Sequence, residues 1–337
     1  MPASIAIYKG YVRFTYTQLI QSLVQDSAIP YREIYGSVKK ADKYILSAAA
    51  LVILKEIDFN PKKIAKQIVI PTSLQKVVSD DTDKVIIDNN RELVASMGIQ
   101  NDQLYFFETS DDEKQEYMTQ AVELKNYTAE YEAKENVIDL LLQEGHNLDI
   151  KEFMGIADYD ALCLARKESY TLVAAEVPYI ILANLSEVNV QTICIADFLN
   201  DVCNDLEELF KYIKKMLDFR FVIPFTDSIV IRLSSVYDDS GELEKEELLR
   251  KWQQILMVPF EDKEYKKMLS GICKGILEQT KERVSEGNPI WSALLYAVVK
   301  YSGYSVRVGF SDGKIITQMI KDEDAVSYTH LTLPTTE

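Results

Sequence analysis

Ala157-Asp158-Tyr159-Asp160-Ala161-Leu162-Cys163-Leu164-Ala165, followed by Tyr170-Thr171-Leu172-Val173-Ala174-Ala175-Glu176, is the stretch whose reading decides the fold. The first half reads as a helix that opens with two carboxylates. The second half is a short apolar strand that ends on a third. Acids placed this way fall along one edge of a parallel sheet, where an open α/β fold holds charged ligands.

Working outward, the sequence on both sides alternates strand and helix. Tyr44 to Leu46 is a short strand, and Ala48 to Ile57 an Ala/Leu-rich helix. Lys66 to Ile70 is a second strand stopped by Pro71, and a helix starts at Ser73. Leu104 to Phe107 reads as a third, edge-type strand, and residues 111–144 as a long charged helix stopped by Gly145. A helix from Pro178 to Leu185 and a strand from Val188 to Ile195 close the block. Strands separated by helical segments imply βαβ units and a parallel sheet. A sheet buried on both faces explains an unbroken apolar run such as Ile68-Val69-Ile70.

Beyond Ala196 the character changes to amphipathic helices over 197–219, 244–258 and 263–283, with a more buried one from Ile290 to Tyr301. Gly303 to Gln318 reads as a hairpin turning on Asp312-Gly313. The expected organisation is a strand-helix segment at 1–41, read as the end of a truncated unit, an α/β domain at 42–200, and a mainly helical region at 201–325. Residues 326–337 resemble a translated sequencing-adapter read-through, so His330 is set aside.

Composition narrows the function. The 337 residues carry a net charge of −16, which disfavours non-specific binding of nucleic acid by the whole chain. No apolar run approaches the ~20 residues that span a bilayer, which argues against a membrane protein. Cys163, Cys194, Cys203 and Cys273 show no C-x-x-C spacing, so they read as reduced, buried thiols of a cytoplasmic protein. No Ser/His/Asp set, Gly-rich phosphate loop or Cys/His pair is present. Lysines cluster at 39, 40 and 43 and at 62, 63 and 66, interleaved with Tyr31, Tyr35 and Tyr44. Charge and stacking of that kind suit single-stranded RNA, while ordinary helix faces are the plainer reading.

Three segments, in order, resemble the PIN domain, the α/β fold of many metal-dependent ribonucleases. They are Tyr44 to Leu54, Ile68 to Leu74, and Asp158 to Ala165 with Tyr170 to Glu176. The resemblance implies a PIN-like parallel-sheet domain with flanking helices, and Mg²⁺ or Mn²⁺ as cofactor if the site is active. Carried over by position, Asp160 takes the third metal-binding acid and Glu176 the fourth. Ser47 stands where the first acid belongs, and the second falls near Val77, with Asp80, Asp81 and Asp83 just behind. Asp158 reads either as a further ligand or as the N-cap of its own helix.

Mg²⁺ needs a near-octahedral oxygen shell, and crowded carboxylates repel one another until a cation neutralises them. A site with two of its four acids missing is therefore expected to be degenerate. The resulting expectation is a non-catalytic RNA- or protein-binding module descended from a metal-dependent ribonuclease. The alternative is an active Mg²⁺/Mn²⁺-dependent endoribonuclease that uses Asp160 and Glu176 with Ser47 nearby.

Overall fold

A computed structural model describes residues 41–90, 95–100, 103–108, 110–137, 155–175, 183, 189–221, 223–257, 263–285, 287–302, 304–311 and 314–321. The chain divides into two compact units, one holding residues 32–204 and the other 205–337.

The first unit is built on strands β1 (Lys43–Leu46), β2 (Gln67–Pro71), β5 (Glu132–Lys134), β6 (Thr171–Val173) and β7 (Thr192–Ile193). They form one sheet in the order β5-β2-β1-β6-β7, and every neighbouring pair is parallel. The central strands are buried on both faces: Tyr44, Ile45, Leu46, Val69 and Ile70 show no exposed surface. That is the environment the unbroken apolar runs require.

Helices α1 (Ala48–Glu56), α2 (Thr72–Asn89), α3 (Asp111–Thr128), α4 (Ile156–Glu168) and α5 (Ile195–Val202) connect the strands. Because all strands are parallel, Ser47, Pro71, Ala174 and Cys194 leave the sheet at one rim. Backbone bonds Ser47 N to Val173 O (3.0 Å) and Ala174 N to Ile193 O (3.1 Å) carry the ladder up to it. Helix α1 is buried at every position from Ala48 to Leu54. Its free amino end therefore needs protein partners rather than water.

Three expectations change here. Leu104–Phe107 does not join the parallel sheet; β4 (Gln103–Glu108) pairs antiparallel with β3 (Ala95–Gln100) as a separate two-stranded sheet. The long helix from 111 ends at Thr128, and β5 follows as an edge strand. Its Glu-Ala-Lys sequence shows no apolar alternation, because backbone bonds to β2 define it as a strand. The last strand is only Thr192–Ile193, and Ile195 already lies in α5. Gly145 and, apart from buried Ala183, the helix expected over 178–185 lie outside the described residues. The four cysteines are free and buried.

The second unit contains α6 (Leu206–Asp218), α7 (Asp227–Asp239), α8 (Glu242–Leu256), α9 (Lys263–Thr280), α10 (Pro289–Ser302) and the antiparallel pair β8 (Tyr304–Ser311) and β9 (Lys314–Lys321). The β8–β9 register matches the expected hairpin, and its turn residues 312 and 313 lie outside the described set. Fully buried Trp252 stands edge-on to Phe225 at 5.5 Å, and its indole N–H donates to Ile290 O (3.2 Å). The Ser270 hydroxyl donates to Val298 O (3.0 Å) and ties α9 to α10. No described helix is long and apolar enough to cross a membrane.

Gly271 and Gly275 sit inside α9, and a Cβ added at either meets nothing within 4 Å. Glycine in a helix interior costs about 0.5–1 kcal/mol relative to alanine. Gly271→Ala and Gly275→Ala should each stabilise the second unit by about that amount in urea titrations. A loss of stability instead would mean that this face of α9 must stay bare.

Candidate functional site

The rim of the sheet is where the sequence places its acids. Ser47 closes β1 and is the N-cap of α1, with extended backbone (φ −70°, ψ 162°). Its hydroxyl accepts from Ala50 N at 3.2 Å, and the residue is 1% exposed. Asp158 reaches the same helix end from α4: its Oδ1 accepts from Ala48 N at 2.8 Å. Two of α1's four free amides are thus satisfied by two side chains, one of them 110 residues away.

Asp158 is not the N-cap of its own helix. Gly155 is, at φ 81° and ψ 157°, a conformation that a side chain would strain. Asp158 sits in the first turn, 6% exposed. Burial pushes its carboxyl up to about 6, while the Ala48 N–H pulls in the opposite direction. Desolvation of the charge outweighs one hydrogen bond.

Asp160, one turn-fraction further along α4, is half-buried and accepts from Asn136 Nδ2 at 3.0 Å. Asn136 follows β5, so this bond joins the sheet edge to the α4 amino end. Its Oδ1 is buried without a hydrogen-bond partner among the described residues. Sequence reasoning missed Asn136 because it missed β5. It also passed over Asp197, 1% exposed in the first turn of α5, whose N–H bonds the Cys194 sulfur at 3.5 Å. The Cys194-x-x-Asp197 spacing after a strand was the available signal.

Glu176 lies one residue past the described Ala175, so its position relative to the other acids is outside the described set; His146 also lies outside it. The acids just behind Val77, where the second ligand falls, do not reach the rim. Asp80, Asp81 and Asp83 lie in the middle of α2. At 1.5 Å per residue, Asp83 is ~16 Å along the axis from Thr72. It pairs there with Lys125 at 3.2 Å, and Asp81 pairs with Lys84 at 3.6 Å.

Among the described residues the rim assembles no carboxylate cluster that would hold Mg²⁺ or Mn²⁺. Ser47 Oγ and Asp158 Oδ1 are engaged with helix amides, and Asp160 accepts from Asn136, whose own oxygen has no partner among the described residues. No group of three or more His, Cys, Asp or Glu side chains converges among the described residues. An octahedral ion held by several carboxylates needs more than this.

The lysine groups stand at the other end of the strands. Lys43 begins β1, and Lys62, Lys63 and Lys66 precede β2. Lys66 pairs with Asp201, which also accepts from Tyr44 Oη, and Lys62 pairs with Glu130 at 3.1 Å. Burial, then the bond to Asp201, raises the Tyr44 phenol well above its usual value. Lys39, Lys40, Tyr31 and Tyr35 lie outside the described residues.

The first unit is thus a parallel α/β sheet whose rim carries Ser47 at the start of α1 and Asp158 and Asp160 at the start of α4. Residues 45–184 match the family described as "PIN domain associated with the TPR-GreAB-C-PIN system". The block therefore belongs to the PIN domains, and within them it is similar to that family. No curated protein and no solved structure matches the chain.

Proposed function

We propose that the PIN domain of this protein is a non-catalytic, protein-binding module derived from a metal-dependent ribonuclease. The observation that carries this reading is the state of Ser47. It occupies the position where the resemblance puts the first acid, carries no charge, and uses its hydroxyl as a helix cap. Asp158 beside it is likewise used to hold α1 in place. The rim chemistry has become structural.

A protein partner is favoured over RNA for two reasons. The chain carries −16 net charge, and two of the lysines nearest the sheet, Lys62 and Lys66, are paired with Glu130 and Asp201. They also stand at the end of the strands opposite the rim. The description of the matching family names the domain alongside TPR and GreAB-C modules, which supports a setting among other proteins.

The test is direct. Labelled single-stranded RNA is incubated with the full chain in millimolar Mg²⁺ or Mn²⁺, beside Asp160→Asn. No cleavage above the variant's background is expected in either metal. Metal-dependent cleavage that disappears in Asp160→Asn would establish the altered-ligand ribonuclease instead, with Asp160 and Glu176 as its acids.

A further inference from the structure

The second unit carries a groove lined by its own residues. It opens between α6, α7 and α8 and encloses about 190 Å³. Leu206, Phe210, Val236 and Leu248 supply an apolar lining, and Phe210 and Leu248 belong to the unit's core at 6% and 8% exposure. Ser240 completes the lining beside Glu244.

Size decides the kind of occupant. Sites for drug-sized molecules run to about 300–1,000 Å³, so this groove suits an anchoring side chain rather than a whole small molecule. Charge decides its chemistry. Glu207, Glu244 and Glu247 stand on the rim against a single Lys251. That lysine is shared between Glu207 and Glu247, 2.8 Å from the latter, and is already matched. Asp238, Asp239, Glu242 and Glu246 are exposed on the same α7–α8 corner. An apolar slot inside an acidic rim is complementary to a segment that alternates apolar and cationic residues.

We propose that this groove docks a basic amphipathic peptide segment of a partner protein. One apolar side chain of the segment seats against Phe210 and Leu248, and its flanking Lys or Arg side chains meet the rim glutamates. The proposal is independent of the reading of the PIN rim, so cleavage of RNA by the first unit would leave it standing.

The probe is a fluorescein-labelled helical peptide with Leu at i, i+3, i+4 and i+7 and Lys elsewhere, titrated into the full chain by anisotropy. A Glu/Leu peptide of the same pattern is the control. Binding of the Lys/Leu peptide alone is expected, weakened about tenfold in Glu207→Gln/Glu247→Gln. Asp80→Asn/Asp112→Asn, exposed acids of the first unit, should bind as wild type. Equal binding of the two peptides, or a Glu207/Glu247 variant that binds no worse than the Asp80/Asp112 one, would overturn the proposal. So would a Ser-for-Leu peptide that binds equally well, since charge alone would then explain the affinity.

Discussion

Ser47→Asp should make the PIN domain less stable in chelator and more responsive to Mn²⁺ than the wild-type protein. Asp is as good an N-cap as Ser, so α1 keeps its start and the backbone at φ −70° needs no change. The new carboxylate nonetheless enters a position 1% exposed. Its neighbour Ala48 donates to Asp158, already a buried and reluctantly ionised acid. Two carboxylates at one buried helix end cannot both ionise cheaply, and the cost is on the order of 3 kcal/mol. For a unit of this size that lowers the melting temperature by roughly 6–12 °C. A divalent cation offsets the repulsion: at a hundred times its Kd it returns ~2.7 kcal/mol. Calorimetric melts in EDTA and in Mn²⁺ measure both quantities. If Mn²⁺ moves the variant no further than wild type, Ser47 is not where the missing acid belonged, and the degenerate-nuclease reading loses its main support.

How far the sequence could be read follows from where each element gets its stability. The central strands and α1 were legible because burial on every side leaves unbroken apolar runs at Tyr44–Leu46 and Ile68–Ile70, and an all-apolar helix at Ala48–Leu54. The edge strand β5 was not, since it is held by backbone bonds to β2 and carries Glu132 and Ala133 exposed. With β5 unseen, Asn136 could not be placed beside Asp160. Asp158 shows a different limit. An acid in a first turn fits the helix it belongs to, and nothing local reveals that it serves another helix 110 residues earlier. Tertiary capping leaves no short-range pattern. The paired lysines are a third case, because charge clusters in sequence do not show which acids fold back onto them. Lys66 and Asp201 are 135 residues apart.

Asp158 also gives the protein a measurable pH dependence, and its sign is the reverse of an ordinary salt-bridged carboxylate. Its ordinary value is 3.8, and burial raises it to about 6 in the folded chain. Between those two values the folded form holds a proton that the unfolded form has released, so folding is favoured as pH falls. The contribution is fully present below about 3.8 and is lost as pH rises through about 6. The whole span corresponds to about 3 kcal/mol, and ~2 kcal/mol of it falls between pH 7.5 and 4.5. Other carboxylates titrate in the same range, so the quantity to measure is the difference between wild type and Asp158→Asn. The amide retains an oxygen for the Ala48 N–H and cannot ionise. Wild type should gain stability relative to the variant on acidification from pH 7.5 to 4.5, in urea titrations followed by circular dichroism. Parallel curves would mean that Asp158 keeps water or a further cationic partner at neutral pH. The bond from Ala48 N to Asp158 Oδ1 fits an acid that fastens α1 to α4.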